Sequence, residues 1–334
     1  MTSENDCPGS LKELKISYAS SSSSTDFIGM DQRYTRTPPA CQGADAFLSP
    51  SESFLTTLIC PVRDCGLALE RRGRALVCPR GHAFDLARSG YTNLLQPQDR
   101  RSKNPGDPPQ AVEARRRLLD AGYGEPLLRA LLAEIDLPAG VAVLDVGCGE
   151  GYYLGSLARE RGFEAHGIDL SAAAVDLAAR RYPRATWIVG NADRFLPWAD
   201  GAFDLVLSID ARLNAPEMRR VLKPEGRLLV AVPGPDDLAE LREAVLGEGR
   251  LRDRLERAAG LLADDFELEG RRSVRGAARL GAAEIRDALA ATYRGGRASR
   301  SERSGALSML EVTFSHDLAR LRPRLPGKIG SLHT

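Results

Sequence analysis

The chain has 334 residues, 43% of them hydrophobic and 27% charged, which excludes a disordered polypeptide and allows a sizeable core. Its 46 basic and 45 acidic residues nearly cancel, which excludes a globally basic nucleic-acid binder but not a local basic patch. No apolar run reaches the roughly 18 residues of a membrane-spanning helix, and the first ten residues lack the apolar centre of a secretory signal. The expected compartment is therefore the cytoplasm, with no membrane partner.

In chain order, residues 1–50 are expected to be a disordered leader. The serine tract at 20–24 and Pro38-Pro39 lie in polar sequence that cannot bury enough apolar surface to offset ordering entropy. Residues 58–95 are short and rich in turns. Alternation over 67–70 and 75–77 predicts two strands, with Arg71 to Arg74 as the turn between them. A hairpin that small needs a staple.

The staple is written on either side of it, as Cys60-x4-Cys65 and Cys78-x3-His82. Three thiolates and one imidazole at such spacings suit a closed tetrahedral zinc site, structural rather than catalytic. Gly66 and Gly81 permit the tight backbone of the two knuckles. The competing reading is three unrelated buried cysteines and a surface histidine. The six cysteines of the chain are too scattered for a disulfide framework.

Residues 96–110 are polar, basic and proline-rich, as in a linker, and 111–135 read as helix. From Val141 onward strands and helices alternate: strands at 141–146, 165–168, 186–189, 203–209 and 226–231, helices at 152–161, 172–181 and 216–221. That alternation predicts a doubly wound, mostly parallel α/β sheet. Strands at 266–269 and 309–314, with a helix at 282–293 between them, are expected to complete one edge as an antiparallel pair.

The first strand runs into Asp145-Val146-Gly147-Cys148-Gly149-Glu150-Gly151, and a helix follows. Glycines here let the backbone turn sharply and approach a ligand closely. Asp169, twenty residues past Gly149 at the end of the next strand, suits a ribose diol. Acidic groups flanking the loop disfavour a pyrophosphate and suit a cationic sulfonium. The segment resembles motif I of the class I S-adenosylmethionine (SAM) methyltransferases. That resemblance implies a Rossmann-like fold, cofactor contacts at Asp145, Gly147, Gly149, Glu150 and Asp169, and an adenine contact near Asn191 and Ala192. It also implies a methyl acceptor near Ser208, Asp210, Arg212 and Asn214.

Taken together, the two blocks resemble the ribosomal large-subunit RNA guanine-N1 methyltransferases, some of which confer macrolide resistance. Matching segments are Cys78-Pro79-x-x-His82-x-Phe84-Asp85, Gly90-Tyr91-x-Asn93-Leu94-Leu95, and Arg101-Ser102-Lys103-Asn104-Pro105-Gly106-Asp107. Asp120-Ala121-Gly122, Asp145 through Tyr153, and Pro233-Gly234-Pro235 complete them. The resemblance implies zinc on Cys60, Cys65, Cys78 and His82, and SAM contacts that include Tyr123 and Asp237. Three positions depart from the family pattern: the first cysteine pair is C-x4-C rather than C-x2-C, Asp237 stands where histidine is usual, and residues 208–212 differ.

The implied organisation is a leader at 1–50, a zinc-binding RNA-recognition module at 55–97 and a SAM-dependent methyltransferase domain at 98–330. The implied reaction is methylation of guanine N1 in a 23S rRNA hairpin, with SAM and one structural zinc; Asp210, at the end of the fourth strand, is the expected acceptor of the N1 proton. A homodimer is an assembly the resemblance allows. Arg71, Arg72, Arg74, Arg80, Arg88, Arg100, Arg101, Lys103, Arg115, Arg116 and Arg117 are expected to form the phosphate-binding patch. Two alternatives share these residues: the same architecture acting on another RNA or a small metabolite, and a zinc-dependent RNA-binding protein without turnover.

Overall fold

The computed structural model describes residues 15–19, 57–99, 105–247, 253–292 and 307–324. After an edge strand β1 (Lys15–Ala19), the zinc-type block forms β2 (Glu70–Arg72), β3 (Ala75–Val77) and β4 (Ala83–Asp85), and the short β5 (Thr92–Asn93) follows. Then come α1 (Pro109–Asp120), α2 (Glu125–Glu134), β6 (Ala142–Val146), α3 (Tyr152–Arg161), β7 (Glu164–Asp169), α4 (Ala172–Arg181), β8 (Thr186–Val189) and β9 (Phe203–Ile209). The chain continues through α5 (Ala215–Val221), β10 (Leu222–Pro233), α6 (Ala239–Leu246), α7 (Leu255–Leu262), β11 (Phe266–Gly281), α8 (Ala282–Thr292) and β12 (Met309–Pro323).

Among the described residues nine strands make one sheet, in the order β1-β11-β12-β10-β9-β6-β7-β8-β5. Strands β5 to β10 of this sheet pair in parallel, and β12 enters antiparallel between β10 and β11. This is the expected doubly wound α/β architecture. Strand order reverses between β6 and β9, and ligands bind outside the carboxyl ends of strands at such a switch point.

The central parallel strands β6 and β9 are buried on both faces, as parallel strands require. Period-two alternation divides the side chains. Leu144, Val146, Val206, Leu228 and Val230 face one apolar cluster, with Trp198, Phe203 and Met218 of α5. Val143, Leu205, Leu207, Leu229 and Ala231 face the other, with Leu131 of α2, Leu154 and Leu157 of α3, and Val175 of α4. The first cluster also contains Cys60, Leu69 and Cys78, so the zinc-type block packs on the sheet face. Backbone bonds from Ile59 N to Pro197 O (3.0 Å) and from Ala199 N to Thr57 O (3.0 Å) fix it there.

Several sequence expectations need correction. Residues 67–69 do not form the hairpin strand, because Leu69 N donates to Leu58 O (2.8 Å) and Ala68 bridges Ile59. The strand is Glu70–Arg72, the turn is Gly73-Arg74 with Gly73 at φ 61°, and β4 adds a third strand. Within the stretch expected to be a leader, Lys15–Ala19 pairs antiparallel with β11. An exposed strand edge recruits an extended segment through backbone bonds, which composition does not reveal. The rest of residues 1–50, and Arg100 to Asn104, lie outside the described residues. Strand β5, ahead of residue 97, pairs with β8 at the edge of the large sheet. Helices α6 and α7 went unread in the sequence. Among the described residues no helix is long and apolar enough to cross a membrane.

Candidate zinc cluster and cofactor cavity

Two turns bring the four metal-type ligands together. In the first, Cys65 N donates to Val62 O (3.0 Å) and Gly66 N to Cys60 O (3.3 Å). Asp64 and Gly66 both take left-handed backbone, at φ 60° and 58°, and this absorbs the two extra residues of C-x4-C. In the second, Cys78 N donates to His82 O (3.0 Å) and Gly81 N to Cys78 O (2.9 Å).

All four ligand atoms lie within 4.8 Å of one another. Cys65 Sγ and Cys78 Sγ are 3.8 Å apart, and His82 Nδ1 is 3.4 Å from both Cys60 Sγ and Cys78 Sγ. A tetrahedron with Zn–S arms of ~2.3 Å and Zn–N arms of ~2.0 Å has edges of roughly 3.5–3.8 Å. The donors therefore fit one zinc ion by distance and by softness. Burial raises the Cys78 thiol, but backbone N–H groups of His82 and Arg80 and bonds to Cys65 and Cys60 bring it down to about 7.

The second site lies at the switch point. Gly147 and Cys148 donate from backbone N–H to Ile168 O (2.8 and 3.1 Å), and Gly149 N donates to Asp169 Oδ2 (3.0 Å). Asp169 Oδ1 accepts from Ser171 N (2.7 Å), so one oxygen ties the glycine loop to the end of β7 and the other ties in the start of α4. The loop opens into a cavity of about 900 Å³. Every residue singled out for the cofactor lines it: Tyr123, Asp145, Gly147, Gly149, Glu150, Asp169, Asn191, Ala192 and Asp237. Asp210 lines it as well.

Three acids make the cavity floor electronegative. Asp145 is 2% exposed, and burial together with Asp169 and Glu150 pushes its carboxyl up to about 8. Glu150 and Asp169 are raised too, chiefly by burial. Asp145 Oδ1 and Glu150 Oε1 are buried without a hydrogen-bond partner. Buried acceptors left unpaired are costly, and a cationic ligand with amine and hydroxyl donors fits what they lack. Arg115 offsets part of the charge, with its guanidinium bonded to Asp107 Oδ2 at 2.6 Å.

Around the rim, Tyr123 stacks on Phe314 with centroids 5.1 Å apart. Asn191 Nδ2 donates to Asp99 O (3.1 Å), and Asn214 Nδ2 to Ala192 O (3.0 Å), which joins the β8 and β9 loops. Arg212 lines the cavity and pairs with Asp193 (3.2 Å). Ser208, expected near the methyl acceptor, instead lies 1% exposed within the sheet, because alternation along β9 turns it into a packed face. Asp210 is accessible, with a side chain 46% exposed, and its Oδ2 lies 3.1 Å from His316 Nε2.

Phe314, His316 and Arg254 line the cavity without having been singled out in the sequence. The only local signal for His316 was the scarcity of histidine, four in the chain. The expected phosphate patch also divides. Arg71, Arg72, Arg74, Arg80 and Arg88 are exposed on the zinc-type block. Arg115, Arg116 and Arg117 are engaged by Asp107, by Glu113 and Asp120, and by Asp287, so the arginines of α1 are held in ion pairs within the chain.

Known families match both segments that carry these sites. A zinc-ribbon family described as "RlmA, N-terminal" matches residues 58–103, and a family described as "Methyltransferase domain" matches 143–226. The 23S rRNA (guanine(748)-N(1))-methyltransferase of Streptomyces fradiae is 42% identical over 231 residues, covering 67% of this chain and 80% of that protein. A Micromonospora griseorubida protein provisionally named as a 23S rRNA (guanine-N(1)-)-methyltransferase is 34% identical, over 80% of this chain and 98% of its own. By this likeness over 80% and 98% of the two relatives, and by the paired zinc-type cluster and cofactor-type cavity, the chain belongs to the 23S rRNA (guanine-N1)-methyltransferase family.

Proposed function

We propose that this chain transfers a methyl group from SAM to N1 of a guanine in 23S rRNA, the target lying in a hairpin. One observation carries the reading: Asp145 and Glu150, each with one buried carboxylate oxygen lacking a partner, line the same cavity as the accessible Asp210. The first two suit a cation, and the third suits a proton donor arriving from outside.

In this reading residues 98–330 hold the cofactor. Asp145 and Glu150 take its cationic groups, Asp169 its ribose, and the Asn191–Ala192 turn its adenine. Tyr123 and Asp237 close the rim. When bound, SAM supplies an electrophilic methyl group on a sulfonium. The protein's part is position and electrostatics. Residues 55–97, clamped by zinc on Cys60, Cys65, Cys78 and His82, present arginines 71, 72, 74, 80 and 88 to phosphates. The target base leaves its stack to reach the cavity, and Asp210 stands where the N1 proton departs.

Calorimetry of the full chain with SAM, followed by mass spectrometry of nucleosides from a treated 23S rRNA transcript, tests this. Micromolar or tighter binding and new 1-methylguanosine are expected. No affinity for SAM, or methylation of another nucleoside, would remove the proposal.

A further inference from the structure

We infer that Asp210 and His316 act as one proton-accepting pair, in which the His316 imidazole is the final holder of the guanine N1 proton. The inference rests on the function just proposed and adds a residue to it.

The pair is built by tertiary structure. Asp210 directly follows β9 in left-handed backbone, at φ 54°, and its N–H donates to Ala231 O (2.9 Å). Aspartate tolerates that conformation, but a non-glycine residue held there by its surroundings is often functional. The next residue, Ala211, packs against Gly147, which sets Asp210 in register with the cofactor loop. His316 comes from the far end of the sequence. On β12 it pairs with Pro233, the last residue of β10. Ser315 beside it is anchored twice: its Oγ donates to Asp236 (2.7 Å) and its N–H to Asp237 (3.0 Å).

Phe314 lies two positions back from His316, hence on the same face of β12, and both line the cavity. Phe314 with Tyr123 offers a π-face for a purine. Asp210 with His316 offers a titratable edge beside it. A flat base with an exchangeable ring N–H fits such a corner.

Chemistry decides between the two members. A lone accessible carboxylate is a weak base for an amide-type N–H, whereas an imidazole sits nearer the working pH. With Asp210 accepting from Nε2–H, the ring nitrogen left as acceptor is Nδ1. Burial opposes protonation of His316. Asp210, then Asp237 and Asp317, outweigh it and raise its proton affinity. Arg254, bonded to Pro233 O and Gly234 O, is the cation facing Asp237.

The step balances. The guanine N1–H bond breaks and an N–H bond to His316 forms. The freed N1 lone pair forms the new N–CH3 bond, and the electron pair of the breaking C–S bond stays on sulfur. One positive charge leaves the sulfonium and one appears on the imidazolium, within the same ring of carboxylates.

The test uses the full chain, SAM and an unmodified 23S rRNA transcript. His316→Gln should slow single-turnover methylation by about a hundredfold or more, with affinities for SAM and transcript within about threefold of wild type. Asp210→Asn should behave alike, and the double variant should be no slower than the worse single one, because the two act as a unit. Independently of turnover, NMR titration should place His316 above its ordinary 6.5 in the wild type and lower in Asp210→Asn. A His316→Gln rate within threefold of wild type, multiplicative losses, or an Asp210→Asn titration unchanged from wild type would each overturn the inference. Should His316→Gln fail to fold, Asp210→Asn and the titration decide. Wild-type chain that neither binds SAM nor methylates N1 would overturn the underlying proposal and the pair with it.

Discussion

A Cβ placed on Gly147 would lie 2.4 Å from the Cβ of Ala211, so the cofactor loop after β6 and the acceptor loop after β9 touch at a residue with no side chain. Gly147 also sits at φ 84°, where any other residue costs roughly 1–2 kcal/mol. Gly147→Ala must therefore push the two loops apart. SAM affinity is expected to fall at least tenfold and the melting temperature to drop. Calorimetry and a thermal melt check this, and unchanged affinity would show that the contact has slack.

Asp145 links cofactor binding to pH. Its carboxyl is pushed up to about 8 in the folded chain against an ordinary 3.8. Between those values the native state holds a proton that the unfolded state has lost, so this group's contribution to stability falls as pH rises from about 4 to about 8. Binding a cation needs the ionised form, so affinity for SAM should rise over pH 6 to 8, with proton release. Asp145→Asn should bind SAM more weakly, lose most of that pH dependence, and melt less readily than wild type at pH 8 without ligand. Titrations in buffers of different ionisation heat measure the released proton, and none released would contradict the assignment.

The zinc cluster should be separable from the cofactor cavity. Cys78→Ser removes a ligand whose side chain also packs in the core cluster with Trp198 and Phe203. Metal content should fall from about one ion per chain to none, and the melting temperature should fall with it. SAM affinity should stay within about threefold, because the cavity is lined from α1 and the carboxyl ends of the parallel strands rather than from residues 58–95. Metal analysis with calorimetry checks both halves.

Arginines of the zinc-type block and of α1 should differ in salt dependence. Arg71→Ala with Arg72→Ala should weaken binding of a 23S rRNA transcript and reduce the slope of log affinity against log salt by roughly one unit per lost phosphate contact. Arg117→Ala should leave that slope alone, since two hydrogen bonds (2.9 and 2.6 Å) hold its guanidinium on Asp287. Equal slopes for the two variants would place the RNA elsewhere.

Strands β8 and β9 and helices α3 and α4 were legible residue for residue, because each carries a complete local pattern closed by its own turn. The ends of β2 were not, since Leu69 answers to Leu58 rather than to its neighbours. Helices α6 and α7 are eight residues each, too short for periodicity to stand out from the surrounding loops.

Local spacing determined the two chemistries of this protein: ligands four or five residues apart can only meet across a tight knuckle, and an acidic glycine loop between strand and helix can only open at a strand's carboxyl end. What sequence did not determine was which distant side chains would meet those sites. Asp210 and His316 are 106 residues apart, and they lie 3.1 Å from each other only because β12 runs antiparallel against β10 and ends its register at Pro233. Pairing of that kind is set by the burial of whole strand faces, an energy summed over the sheet, and no short window of the chain contains it.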